Sequence, residues 1–347
     1  YKSARVSENA INRARTQAAR LIGARPDEIY FTSGGSESDN WAIKSFSRSI
    51  RKKRMGASCH IITTSIEHNA VLNSCRTLES EGFTVTYLPC NKYGFIHPET
   101  LQAAIRDDTI LISVMAANNE VGSIQPLKAI GQIARRHQIV FHTDAVQAYG
   151  HIPINVNECM IDMLSMSAHK LHGPKGVGFL YIRNGLELPS YIDGGSQENG
   201  HRAGTSNVPG IVGLGKACEI AARNMQKNIN SMTRLRNRLI YQIRQGLPNA
   251  VLTGSEQMRL PNNVSFCFPG VESAQLLSIL DSHGICASAG SACSTGAAGP
   301  SHVLIAMGID YNLAGGSLRL TLSGENTMQE VDFVAETVIK AVKRLSI

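Results

Sequence analysis

The stretch Ile161-Asp162-Met163-Leu164-Ser165-Met166-Ser167-Ala168-His169-Lys170 passes from an apolar run into a polar loop that continues to Gly173-Pro174-Lys175-Gly176. Residues 161–165 are too short and too apolar a run for a surface helix and read as a buried strand, and the glycines and proline beyond it mark a loop. Working outward, similar runs recur at 28–32, 60–65, 84–88, 109–115, 139–142 and 177–182. Helical patterns fit between them, for example 37–51, with Trp41, Phe46 and Ile50 on one apolar side, and 126–137. Strands alternating with helices imply an α/β fold, a mostly parallel sheet covered by helices on both faces. A loop rich in Gly, Ser and Asn (194–207) closes this region, long helices follow across 208–246, and a second, smaller unit comes after them. Its pattern is a strand at 263–268, a helix at 273–282, a Gly/Ser/Ala stretch at 287–300, a strand at 317–322 and an amphipathic helix at 328–345.

A chain of 347 residues accommodates one large domain or a large one with a smaller companion, and can bury most of its apolar surface without staples. Its 43% hydrophobic and 18% charged residues exclude a disordered or fibrous chain. The formal charge of +7 admits nucleic acid, an anionic cofactor or an acidic partner and selects none of them. The cationic cluster Arg48, Arg51, Lys52, Lys53 and Arg54 falls where a helix is expected to end, and cations there favour the helix dipole. A solvated helix end is therefore expected, and direct nucleic-acid binding is not. Eight cysteines without a C-x-x-C pair argue for a reducing compartment rather than disulfides or zinc. No apolar run approaches the ~18 residues of a membrane span, and no signal-peptide pattern opens the chain, so the expected location is cytoplasmic, with no membrane partner.

Lys170, just past a strand end, is placed where partial desolvation lowers an amine pKa toward the neutral form that makes a Schiff base with an aldehyde cofactor. A solvated loop lysine is the plainer alternative. Asp144, with Gln147, ends another strand in His142-Thr143-Asp144-Ala145-Val146-Gln147. A carboxylate beside a pyridine nitrogen keeps it protonated, and the pyridinium is an electron sink; an Asp that merely caps a helix fits as well. In Thr32-Ser33-Gly34-Gly35-Ser36-Glu37 a strand turns through two glycines into a helix start, which suits phosphate. It lacks the endings of nucleotide and dinucleotide loops, and an ordinary turn and cap also accounts for it. His169 and His172 flank Lys170 without an acidic ligand pattern nearby, so no metal site is expected.

Seven motifs occur in the order found in the NifS/IscS-like cysteine desulfurases, long-loop subgroup, among the class V aminotransferase-like PLP enzymes. They are residues 31–40 (FTSGGSESDN), 67–71 (EHNAV), 118–122 (NNEVG), 142–147 (HTDAVQ), 167–170 (SAHK), 202–205 (RAGT) and 290–294 (GSACS). The resemblance covers nearly the whole chain. It departs at the start, where members carry an Asp-Asn-Ala-Ala-like segment and this sequence reads Tyr1-Lys2-Ser3-Ala4-Arg5.

The resemblance implies the PLP-dependent transferase fold (aspartate aminotransferase-like, fold type I). A large domain with a mostly parallel seven-stranded sheet, 1–228, would bind pyridoxal 5'-phosphate (PLP), and a small α+β domain, 229–347, would carry the catalytic cysteine loop. By the same resemblance Lys170 carries the cofactor, His68 stacks on its ring, Asp144 pairs with the ring nitrogen and Gln147 contacts the phenolic oxygen. Gly35, Ser36, Ser167 and His169 would hold the phosphate, with Thr205 reaching it from the second subunit of a homodimer. Asn119 and Arg319 would take the substrate carboxylate, Asn119 also lying at the cofactor, and His68 is a candidate proton carrier. Cys293, in a stretch of small polar residues, would receive sulfur from L-cysteine as a persulfide, release L-alanine and pass the sulfur to an acceptor protein. Cys267, with apolar flanks, reads as a core thiol, and Cys286 is expected in the preceding strand without a catalytic role. A selenocysteine lyase, a class V aminotransferase and a non-catalytic scaffold are the alternatives. The sulfur's destination stays open among iron–sulfur cluster assembly, tRNA thiolation, cofactor synthesis and DNA phosphorothioation.

Overall fold

The structure, a computed structural model, describes residues 2–290 and 299–346. The chain forms two compact units. The first comprises Tyr1–Leu88, Ile96–Ala116 and Gln125–Asn224, and the second Pro89–Phe95, Ala117–Ile124 and Met225–Ile347.

The first unit is built on a seven-stranded sheet: β1 (Ile29–Thr32), β2 (His60–Thr64), β3 (Thr84–Leu88), β4 (Thr109–Ser113), β5 (Val140–Asp144), β6 (Met163–Ser167) and β7 (Gly178–Ile182). Their order is β1-β7-β6-β5-β4-β2-β3, and β7 alone runs against its neighbours. All seven expected strands are present. The fifth and sixth run two residues further than periodicity suggested, to Asp144 and Ser167, because those polar residues still pair in register with Ser165 and Gly178. Strands β2, β4, β6 and β7 are buried at every position, as expected of a sheet covered on both faces.

Helices α1 (Lys2–Arg20), α2 (Gly35–Asn40), α3 (Phe46–Lys53), α4 (Asn69–Ser80), α5 (Pro98–Ala103) and α6 (Leu127–Arg136) belong to this unit. The helix expected at 37–51 is interrupted between α2 and α3 by a π turn, Trp41–Ser45. Trp41, Ala42 and Ile43 in this turn are fully buried among Phe46, Ile61, Leu111 and Met163, and the Trp41 indole donates to the Pro189 carbonyl at 2.8 Å. The long helices across 208–246 are one helix, α7 (Val208–Gly246), whose interior has no proline. Pro209 sits in its first turn, where proline is tolerated.

The second unit carries a three-stranded antiparallel sheet, β10-β9-β8, of β8 (Val251–Leu252), β9 (Asn263–Cys267) and β10 (Ser317–Thr321). Its helices are α8 (Ser273–Ser282), α9 (His302–Ala306), α10 (Tyr311–Gly315) and α11 (Met328–Leu345). Phe266, Phe268, Leu276, Leu280, Leu318, Val338 and Val342 form its core, the two phenyl rings stacked at 5.9 Å.

Candidate active site

In the first unit, β1 ends in a turn that only glycine can make. Gly34 has φ 150°, which side-chain-bearing residues rarely adopt. A Cβ on Gly35 would lie 2.6 Å from a Val146 methyl, and one on Gly178 of β7 would lie 2.8 Å from the Gly34 Cα. The turn therefore rests directly on the sheet. A Cβ on Gly34 would come within 3.5 Å of the Ser167 hydroxyl, which makes the glycine turn and the end of β6 neighbours. Ser167 Oγ is 2.9 Å from His169 Nδ1, in the 3-10 turn Ala168–Leu171 that also holds Lys170. Ser36 is exposed in the first turn of α2. Donors and hydroxyls from Gly35, Ser36, Ser167 and His169 thus gather around one turn, the arrangement an anion needs.

Glu37 braces this turn. Its Oε2 accepts the Ser33 amide at 2.8 Å, and Arg202 donates to both of its oxygens at 2.8 and 3.1 Å. Three residues on from Arg202, Thr205 is exposed in the segment leading into α7.

Asp144 closes β5, almost wholly buried, and its Oδ1 accepts the Val146 amide at 2.9 Å. Burial pushes this carboxyl above its ordinary range, while the Val146 amide and the positive charges of His68 and Lys170 pull it back. Asp144, His68 and Lys170 are therefore neighbours in the same unit. His68 is the N-cap of α4, and its ring lies 3.1 Å from the Ala70 amide through Nδ1. Gln147 lies half-buried in the turn that follows β5.

The other expected site residues lie in the second unit. Arg319 on β10 donates to the Asn119 carbonyl at 3.0 Å and exchanges backbone bonds with Ser288 at 3.1 and 2.6 Å. Next to Asn119, the buried Glu120 accepts from the Ser301 hydroxyl, its Oε2 would lie 2.9 Å from a Cβ on Gly290, and its carbonyl accepts from Asn263 at 3.0 Å. Cys293 lies outside the described residues. Cys286, expected in a strand, is instead exposed in an irregular segment: the chain makes a single bridge, Ser288 to Arg319, rather than a ladder. Cys267 is a core thiol pushed up to about 12 by burial.

The cationic run ends α3 as expected, and much of it is paired. Arg48 bonds Glu81, Lys53 bonds Glu187 and Arg51 lies over the Phe83 ring at 4.9 Å. Among the described residues no group of three or more His, Cys, Asp or Glu side chains converges as a metal site would, and no helix is long and apolar enough to cross a membrane.

Sequence reasoning missed a buried polar layer around Asp144, made of Asp39, Glu67, His142, Ser113 and Ser165. Glu67 Oε1 accepts the Met115 amide at 2.9 Å and the Thr64 hydroxyl at 2.7 Å, and burial pushes its carboxyl up to about 8. Burial pushes His142 down to about 3. A signal existed: two of these acids lie within the quoted motifs, and acids seldom occur at fully buried positions without a task.

A sheet with one reversed strand, a glycine turn against a strand end, and Lys170, Asp144 and His68 near one another are consistent with the fold of fold type I PLP enzymes. The Aminotransferase class-V family profile matches residues 2–334, and the chain belongs to that family. Within it, the chain is 52% identical over 345 residues to the cysteine desulfurase IscS of Methanosarcina thermophila, covering 99% of this chain and 84% of that protein. A solved NifS-like protein superposes with TM-score 0.90 at 38% identity, covering 98% of this chain and 89% of the other. SspA, solved in complex with cysteine, superposes with TM-score 0.81 at 38% identity over 94% of this chain and 90% of its own.

Proposed function

We propose that this chain is a cysteine desulfurase that holds PLP on Lys170 and moves the sulfur of L-cysteine onto Cys293. The observation that carries the reading is the buried Asp144 carboxyl, whose neighbours include the charges of Lys170 and His68. The residues present fit the cofactor. A cationic ring nitrogen would relieve the burial that now disfavours the Asp144 carboxylate, and the glycine turn with Ser36, Ser167 and His169 offers donors to a phosphate. When bound, PLP supplies an electron sink for the carbanion that forms at the substrate Cα.

Each side chain then has a task. Asp144 would keep the ring nitrogen protonated, Gln147 would hold the phenolic oxygen, and His68 would cover the ring. Arg319 and Asn119 bind the substrate carboxylate, Arg319 through its planar fork. Lys170 would move the α-proton of the substrate. The Cys293 thiolate attacks the substrate sulfur, forming the S–S bond of a persulfide as the C–S bond breaks, and alanine leaves after protonation. Solution as a homodimer, with Thr205 reaching the partner's phosphate, and a cytoplasmic location complete the reading. The bound cysteine of SspA supports the substrate, and the name of the 52% identical relative supports the reaction.

The test is an absorbance spectrum of the purified protein, followed by L-cysteine and assay of alanine and of persulfide on Cys293. Lys170→Ala should abolish the bound-PLP band and lower turnover by ~10²–10⁴-fold, the range of a lost proton-transfer group. Cys293→Ser should keep the band and form no persulfide. Alanine release that survives Cys293→Ser would favour a selenocysteine lyase instead, and transamination that survives it a class V aminotransferase.

A further inference from the structure

The sheet face that carries Asp144 also carries side chains for which the proposed chemistry has no use. Residues two apart on a strand share a face, and in-register neighbours on parallel strands share it too. Asp144 pairs with Ser165, and His142 pairs with Ser113, so these four line one face with Ser167 beyond them. His142 is wholly buried, its Nδ1 2.9 Å from Ser113 Oγ and its Nε2 3.0 Å from Ser165 Oγ. Onto this face α2 brings Asp39, 1% exposed, with Oδ1 3.7 Å from His142 Nε2 and that oxygen without a hydrogen-bond partner among the described residues. Its carboxyl also lies against the Ser165 hydroxyl, with Asp144 and Glu67 as the nearby acids.

Two ionised carboxyls cannot share so dry a layer without strong repulsion, and the one basic ring in contact, His142, is kept neutral by burial. We propose that Asp39 is a positioning residue: it stands as a neutral carboxylic acid that orders Ser165 and His142, and so leaves the negative charge of this face to Asp144. The proposal rests on the reading that Asp144 faces the PLP ring nitrogen. The hydrogen bonds then run one way. Asp39 O–H donates to Ser165 Oγ, Ser165 O–H to His142 Nε2, and His142 Nδ1–H to Ser113 Oγ. An ionised Asp39 would reverse them and put the His142 proton on Nε2. The direction in which burial drives Asp39, well above the ordinary carboxylate range, agrees with the first arrangement.

The tautomer of His142 is therefore the readout. It is measured by ¹⁵N NMR of the histidine-labelled holoenzyme, with the His142 signal assigned by its loss in His142→Gln. The expected result is the Nδ1–H tautomer in the wild type and in Asp39→Asn, whose amide donates to Ser165 in the acid's place, with PLP affinity changed by less than about threefold. The Nε2–H tautomer in the wild type, or a loss of PLP affinity beyond about threefold in a folded Asp39→Asn, would overturn the proposal. The same signal is read in PLP-free protein, so a wild type that binds no PLP would end the functional reading while leaving the state of Asp39 measurable.

Discussion

At Glu67, burial and hydrogen bonding pull in opposite directions, and burial wins, pushing the carboxyl up to about 8 from an ordinary 4.5. Between those values the folded protein binds a proton that the unfolded chain releases, so Glu67 makes stability fall as pH rises through that window. His142, at about 3 against 6.5, acts in the opposite sense, and its contribution is lost as pH falls below 6.5. Glu67→Gln keeps an oxygen for the Met115 amide and the Thr64 hydroxyl while removing the titration. Its stability relative to wild type is expected to climb from pH 5 to pH 8, by at most about 1.4 kcal/mol per pH unit. Urea denaturation at several pH values measures this, and a difference that does not change with pH would contradict it. The positions of Lys170 and Asp144 just past or at strand ends, and the glycine turn, were legible in the sequence, because apolar runs and glycines mark where strands stop. The neutral state of Glu67 and the burial of Asp39 were not, because burial is set by strands and helices distant in sequence.

At the level of single elements, α11 shows how much a local pattern can carry. Thr327 Oγ1 accepts the Glu330 amide at 3.2 Å, and Glu330 Oε2 accepts the Thr327 amide at 2.7 Å, a reciprocal cap that Thr-x-x-Glu announces on its own. Thr327→Ala should lower stability by about 1 kcal/mol, and Thr327→Ser should restore most of it. Equal midpoints for the three proteins in thermal unfolding would show the cap contributes nothing. The sequence placed this helix and α8 at their observed ends. It did not foresee the π turn Trp41–Ser45, since an apolar face reads alike whether a helix winds evenly or carries a bulge. The strands were legible because residues buried on both faces give uninterrupted apolar runs, whereas the pairing order depends on contacts far apart in the chain.

For the whole molecule, most residues proposed to hold PLP, His68, Asp144, Gln147, Ser167 and Lys170 among them, belong to the first unit, while Asn119 belongs to the second. Trp41, the one tryptophan, is buried in the first, and Cys267 is buried in the second. Stripping PLP should therefore shift the Trp41 fluorescence transition to lower denaturant, equivalent to roughly 2.7 kcal/mol when the wild type is compared at a hundredfold excess of PLP over Kd. Thiol labelling of Cys267 should move much less. Coincident shifts of both probes would show that the units unfold as one.

The place of β1 in the sheet has a consequence for synthesis. Its sheet partner is β7, which leaves the ribosome roughly 150 residues later, on the order of ten seconds at ordinary elongation rates. Through that interval the nascent chain displays Ile29-Tyr30-Phe31-Thr32 without its mate, an apolar edge open to other chains. The glycine turn behind it likewise has no Gly178 to rest on. The glycine turn therefore gains its support on the sheet only after β7 has been made, late in the synthesis of the first unit.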